Sequence, residues 1–238
     1  MNNFFITQSP FAKPRKSRLA NYINWVIKKL GYGYKLERLP DGMVDMNSVE
    51  QRMNYCLLLD SVISNEIEGD VAELGCFTGQ CAMLFEKVIE QTQSLKKLHL
   101  YDSFETKFAF TGNVEEELLN NFKLAKLRPP VLHKGYFNET LPTQLSGKLA
   151  FVHIDCGFGG DTIAHRDVMI YCLENIYPKL SKGAICMLMD YHNDEDGDPG
   201  LSVNPGVKLA CDVFLKDKPE YIISLYAKDH CHGFFRKT

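Results

Sequence analysis

From Asp70 onward the chain alternates short apolar runs with helical patterns, and this alternation constrains the fold more than any other feature. The runs read DVAELG, KLHLYD, VLHKG, LAFVHID and GAICMLMD, followed by YIISLY and CHGFFRK. Strands that alternate with helices require a sheet covered by helices on both faces. Between the first two runs, Cys81, Leu84, Phe85, Val88 and Ile89 recur at the spacing of one helical face. Ile163, Ile170, Leu173 and Tyr177 mark another amphipathic helix, and Pro178 with Ser181, Lys182 and Gly183 marks the turn after it. Only AKDH separates the last two runs, too little for a helical crossover, so they are expected to pair as an antiparallel hairpin. The pattern predicts an α/β, Rossmann-like fold with a mostly parallel seven-stranded sheet closed by a C-terminal antiparallel hairpin. Before it, helices near Ser17 to Leu30 and near Ser48 to Glu68, joined by the Gly/Pro-rich GYGYKLERLPDG, predict an N-terminal helical cap over 1–69 beside a main domain over 70–238.

The first strand runs into VAELGCFTGQ, where Glu73 precedes a turn at Gly75 and Gly79 precedes a helix, with Phe77 and Thr78 between them. Glycines let a backbone turn sharply and approach a ligand closely. A dinucleotide would require the tight GxGxxG that seats a pyrophosphate on a helix N-terminus, and that spacing is absent. A carboxylate at Glu73 instead suits a ligand carrying positive charge and no phosphate, such as S-adenosylmethionine. The second strand ends in LYDSFE, placing Asp102 where a carboxylate accepts the hydrogen bonds of a ribose diol. The plainer alternatives are a simple strand-to-helix turn for the loop and a helix cap for Asp102.

Composition narrows the partners. Over 238 residues, 27 basic and 30 acidic side chains nearly balance, so no field of one sign points to nucleic acid or to an anionic membrane surface. A small-molecule substrate is expected. Eight cysteines without a CxxC pair read as reduced, buried hydrophobes of a cytoplasmic protein. No apolar run approaches membrane-spanning length.

Taken in order, VAELGCFTG, LYDSFE, HKGYFNETLP, LAFVHID and IYPKLSKGAICMLMDY resemble the macrocin O-methyltransferase (TylF-like) family over about residues 50 to 238. The resemblance implies a class I methyltransferase fold, S-adenosylmethionine as cofactor, a hydroxyl on a sugar or other natural-product intermediate as acceptor, and magnesium. It implies that Glu73, Gly75, Phe77, Thr78 and Gly79 form the cofactor loop and that Asp102 binds ribose. Ser103 and Phe104 would lie beside the cofactor, Gly135 and Tyr136 near adenine, and Asp155 at the methyl-transfer site. The chain departs from the family pattern twice: an Asp-x-Asp segment reads Asp155-Cys156-Gly157, and paired Asp residues read Met189-Asp190. Asp155 and Asp190 remain as candidate magnesium ligands, short of the oxygen set that a hard cation takes.

Methyl transfer requires an aligned acceptor oxygen that loses its proton, so Asp155 is the candidate base. His192 is expected to be a solvated loop residue, HNDEDGDPG a solvated lid or substrate loop, and His230 and His232 structural or exposed. Tyr22, Trp25, Tyr32 and Tyr34 are expected as core contacts of the cap, with a lid over the acceptor or a homo-oligomer contact left open. A non-catalytic cofactor-binding relative and an NAD-dependent oxidoreductase are the competing readings.

Overall fold

A computed structural model describes residues 2–8, 10–11, 17–36, 47–108, 110–145, 147–157, 160–228 and 230–238. The second half of the GYGYKLERLPDG segment lies outside them. Helices α1 (Arg18–Lys29) and α2 (Val49–Ser64) precede the sheet. The remaining elements run β1 (Asp70–Leu74), α3 (Gln80–Gln91), β2 (Leu98–Asp102), α4 (Val114–Ala125), β3 (Val131–Lys134), α5 (Phe137–Gln144) and β4 (Leu149–Ile154). They continue with α6 (Thr162–Ile176), β5 (Leu180–Leu188), α7 (Gly206–Phe214), β6 (Ile223–Tyr226) and β7 (Cys231–Arg236).

The seven strands form one sheet in the order β3-β2-β1-β4-β5-β7-β6. Strands β1 to β5 are parallel, and β7 is antiparallel to both β5 and β6. The expected hairpin is present, and its second strand is the one that inserts next to β5. The order reverses between β1 and β4, and in parallel α/β sheets that switch opens a crevice beyond the carboxyl ends of the strands.

Two apolar layers sandwich the sheet. Helices α3 and α4 contribute Leu84, Phe85, Val88, Leu118 and Phe122 to one core, and α6 and α7 contribute Met169, Leu173, Ile176, Val207 and Ala210 to the other. Helix α2, expected in a cap, belongs to the first layer: Tyr55, Cys56, Leu59 and Val62 are completely buried with it. A capping box on Ser48 and Gln51 starts that helix. Helix α1 buries none of its residues, and the aromatic residues expected as cap contacts are exposed, from 56% at Trp25 to 80% at Tyr34. No helix among the described residues is long and apolar enough to cross a membrane.

Candidate active site

At the switch point, backbone hydrogen bonds continue past the strand ends and fix the loops relative to one another. Gly75 N donates to Tyr101 O at 2.9 Å, Asp155 N to Leu74 O at 2.8 Å, Gly135 N to Asp102 O at 3.0 Å, and Met189 N to Ile154 O at 2.9 Å. Gly75, with φ of +82°, packs so closely that a Cβ there would stand 1.9 Å from the carbonyl oxygen of Asp155. Only glycine fits this crossing of two segments of the backbone. Phe77, Phe104 and Asp190 also hold positive φ, at 44°, 59° and 59°, each just beyond a strand. Strained backbone of this kind collects at sites where the fold must aim specific groups.

Above these loops opens a cavity of about 1030 Å³, lined by residues from the carboxyl ends of β1, β2, β3, β4 and β5. Glu73, Gly75, Phe77, Thr78, Asp102, Ser103, Gly135, Tyr136, Asp155 and Asp190 all line it. Two expected site residues stand behind the wall. Gly79 caps α3 against Leu118 and Phe122, where a Cβ would lie 2.9 Å from Leu118 Cγ. Phe104 is buried in the first apolar layer.

Asp102 organises the cofactor loop directly. Its Oδ2 accepts from Cys76 N at 2.8 Å and Phe77 N at 3.0 Å, and its Oδ1 accepts from Phe104 N at 2.7 Å. A carboxylate offers about four lone-pair sites, so acceptor capacity remains on the cavity side. Loop closure and ligand contact are compatible in one group, while the helix-cap alternative does not hold, because Asn113 caps the next helix, α4.

At the cavity floor, Glu73 forms a buried polar pair with His153. Glu73 Oε1 and His153 Nδ1 share a hydrogen bond of 2.9 Å, while Glu73 Oε2 and His153 Nε2 have no partner among the described residues. The Tyr55 ring lies 5.0 Å from that of His153 and 5.4 Å from that of His232. Burial holds His153 down at about 4, against the pull of Asp155 and Asp190. Burial also raises Glu73 well above the usual carboxylate range, and the charge of Asp102 adds to it. Asp155, half-buried at the cavity surface, is pushed up to about 7 by loss of water and by the charges of Asp190, Glu73 and Asp102, with His153 pulling the other way. A carboxyl group titrating there is poised to take a proton near neutral pH.

The two departures from the family pattern have visible occupants. A Cβ at Gly157 would stand 2.9 Å from Asn204 Nδ2, and that amide donates to Asp190 Oδ2 at 2.6 Å. The Asn204 side chain therefore fills the space that a side chain at 157 would enter, and it engages Asp190. Met189 turns its sulfur to α2, where Tyr55 Oη donates at 3.3 Å and Gln51 Nε2 at 3.5 Å. Magnesium finds no support in this donor set. Among the described residues, neither Asp155 nor Asp190 belongs to a group of three clustered His, Cys, Asp or Glu ligand atoms. The trio that does cluster, Glu73, Cys81 and His153, offers one carboxylate beside nitrogen and sulfur, a poor set for a hard cation.

The expectation for His192 is overturned, His232 is structural as one of its two readings had it, and His230 gains a place in the cavity wall. His192 is buried, with neither ring nitrogen hydrogen-bonded among the described residues and with Nδ1 3.3 Å from Asp194 Oδ1. His232 is completely buried, its Nε2 3.0 Å from Asn54 Nδ2, and burial holds it down at about 3. His230 lines the cavity. The acidic loop after His192 satisfies itself: Asp198 Oδ2 accepts from Asn193 N at 2.8 Å and Ser224 Oγ at 2.9 Å. Asn47, Asp167, Tyr171 and Asn204 complete the wall without having been singled out in the sequence.

Residues 39–197, two thirds of the chain and all of β1 to β5, match the macrocin-O-methyltransferase (TylF) family. The chain belongs to that family. It is accordingly an S-adenosylmethionine-dependent methyltransferase. Among solved structures, the TylF-family chain resembles the O-methyltransferase NovP at 20% identity, over 90% of this chain and 88% of that one, with a TM-score of 0.65. The calicheamicin methyltransferase CalS11 is similar at 18% identity over 94% of both chains, with a TM-score of 0.57. An O-methyltransferase from Bacillus cereus, in complex with SAH, is similar at 12% identity over 98% of this chain and 94% of that one, with a TM-score of 0.57. At these identities the likeness establishes the class I methyltransferase fold. No curated protein matches the sequence. Membership in the TylF family sets aside the oxidoreductase reading.

Proposed function

We propose that this methyltransferase acts on a hydroxyl of an uncharged small molecule, a sugar or related natural-product intermediate, with Asp155 as general base. The observation that carries the reading is the convergence of Glu73, Asp102 and Asp155, from the ends of three parallel strands, on one cavity. When bound, S-adenosylmethionine supplies a methyl carbon on a positively charged sulfur, open to an oxygen nucleophile. Asp102 holds the ribose diol with its remaining lone pairs while its other contacts keep the Cys76–Phe77 turn closed. Glu73, whose Oε2 has no partner among the described residues, would be offset by the positive charge of the cofactor when it binds. Asp155 would accept the hydroxyl proton as the acceptor oxygen takes the methyl carbon, the carbon–sulfur bond breaks and the neutral thioether S-adenosylhomocysteine leaves.

The character of the wall supports the acceptor class. Glu73, Asp102, Asp155, Asp167 and Asp190 line the cavity, and no described lining residue is Lys or Arg. An acidic wall without a cation disfavours a phosphorylated acceptor inside it. Tyr171, Asn204 and His230 provide hydrogen-bonding groups suited to a polyol. The test is methyl transfer from labelled S-adenosylmethionine to a panel of uncharged glycosides and phenols. Asp155→Asn should lower kcat by about 10²- to 10⁴-fold and leave the affinity for S-adenosylhomocysteine within a factor of about two. Undiminished turnover in that variant would remove Asp155 from the role.

A further inference from the structure

The near balance of charge over the whole chain conceals a sharp segregation. Residues 1–36 contain seven basic residues, Lys13, Arg15, Lys16, Arg18, Lys28, Lys29 and Lys35, and no acidic one. The remaining residues, 37–238, hold 20 basic and 30 acidic side chains, a net charge of −10. Within the basic segment, α1 sorts its residues strongly by face. Leu19, Ile23, Val26, Ile27 and Leu30 recur at helical spacing along one side, and Arg18, Asn21, Lys28 and Lys29 occupy the other.

That apolar side has no place in the core. Leu19 is 68% exposed and Leu30 64% at the two ends of the stripe, Ile23, Val26 and Ile27 between them are half-buried, and no described residue of α1 is fully buried. Exposed aromatic rings border the stripe: Tyr22 stacks on Trp25 at 6.0 Å, and Lys29 Nζ stands 5.9 Å from the Trp25 ring. After the helix, Asn24 fastens Leu36 through both its backbone N–H and its carbonyl, at 2.6 and 2.9 Å. The fold-back leaves Tyr32 and Tyr34 exposed. Aromatic rings with polar tips, lysines on the polar side and an apolar stripe that the described core does not absorb are what a helix lying in a membrane interface carries.

We infer that α1 docks this protein onto an anionic phospholipid surface, its apolar stripe set among the acyl chains and its lysines against the headgroups. The acidic body stays away from the same surface, so the segregated charge also sets an orientation. A juxtaposed basic residue contributes roughly 1 kcal/mol on an anionic leaflet, which is about a fivefold change in partition for each charge.

The full chain is to be co-sedimented with phosphatidylcholine vesicles and with vesicles that also contain phosphatidylglycerol, at low and high salt. Partition is expected to be at least about tenfold stronger on the anionic vesicles and to fall with salt. Lys28→Glu/Lys29→Glu and Leu19→Glu/Leu30→Glu should each abolish it while keeping the wild-type affinity for S-adenosylhomocysteine, which shows that the variants are folded. Failure to bind either vesicle, or equal binding to both, would overturn the inference. So would a concentration-dependent doubling of mass that Leu19→Glu/Leu30→Glu removes in a protein that ignores vesicles, because the stripe would then belong to a second copy.

Discussion

Helices α1 and α2 are neighbours in sequence and opposites in the folded chain. Helix α1 separates apolar from polar residues cleanly and buries none of them. Helix α2 scatters its apolar residues around the axis and buries Tyr55, Cys56, Leu59 and Val62 completely. A helix that meets protein on several sides gains from apolar groups all round, whereas a clean stripe belongs to a helix that meets one apolar surface. The contrast extends to charge, with the basic segment carrying α1 and the acidic body carrying the cavity. The body's loops are locked by glycine contacts and shared backbone bonds, and α1 is tied to little besides its own fold-back.

Substitutions can sharpen this contrast. The largest loss is expected from Gly75→Ala, because a methyl group 1.9 Å from the Asp155 carbonyl at a positive φ forces two strand ends apart. Thermal denaturation should show destabilisation on the order of 4 kcal/mol, and wild-type stability would refute the tight crossing. Leu59→Ala, at a fully buried position, should cost about 3 kcal/mol, read from urea unfolding. Asp102→Ala should weaken S-adenosylhomocysteine binding by about 1.5 to 3 kcal/mol, measured by titration calorimetry in a variant shown to be folded. At the other extreme, Leu19→Ala on α1 should change stability by no more than about 0.5 kcal/mol. A loss as large as that of Leu59→Ala would show that α1 is packed after all.

Much of the fold was legible because its signals are local. Strand runs, the turn at Gly75 and the short AKDH link each lie within a few residues, and together they predict the parallel sheet and its hairpin. The same holds for Glu73, Asp102 and Asp155, which sit at strand ends where an open α/β sheet exposes them. What escaped depends on contacts distant in sequence. Asn204 reaches Asp190 from the segment before α7, and nothing at Gly157 announces which residue fills its space. Likewise, α2 reads as a cap helix until its partners in the sheet are known. His192 looked solvated because burial is set by the elements that cover it, and those lie elsewhere in the chain. The aromatic residues of α1 misled in the other direction, since composition favours the core for such groups and an uncovered face has no signature of its own.

The central claim is that Asp155 takes the acceptor proton without a metal ligand set around it. The most direct measurement is the pH dependence of methyl transfer to an acceptor identified from the glycoside panel, in excess EDTA, for the wild type and Asp155→Asn. Asp155 accepts a proton only when ionised, and its burial among Asp190, Glu73 and Asp102 pushes it up to about 7. The wild-type kcat/KM, which follows the free enzyme, should therefore rise through about pH 7 and level off above it, unaffected by the chelator, and the variant should lose that rise. Activity abolished by EDTA and restored by magnesium, or a pH profile unchanged in Asp155→Asn, would contradict the account.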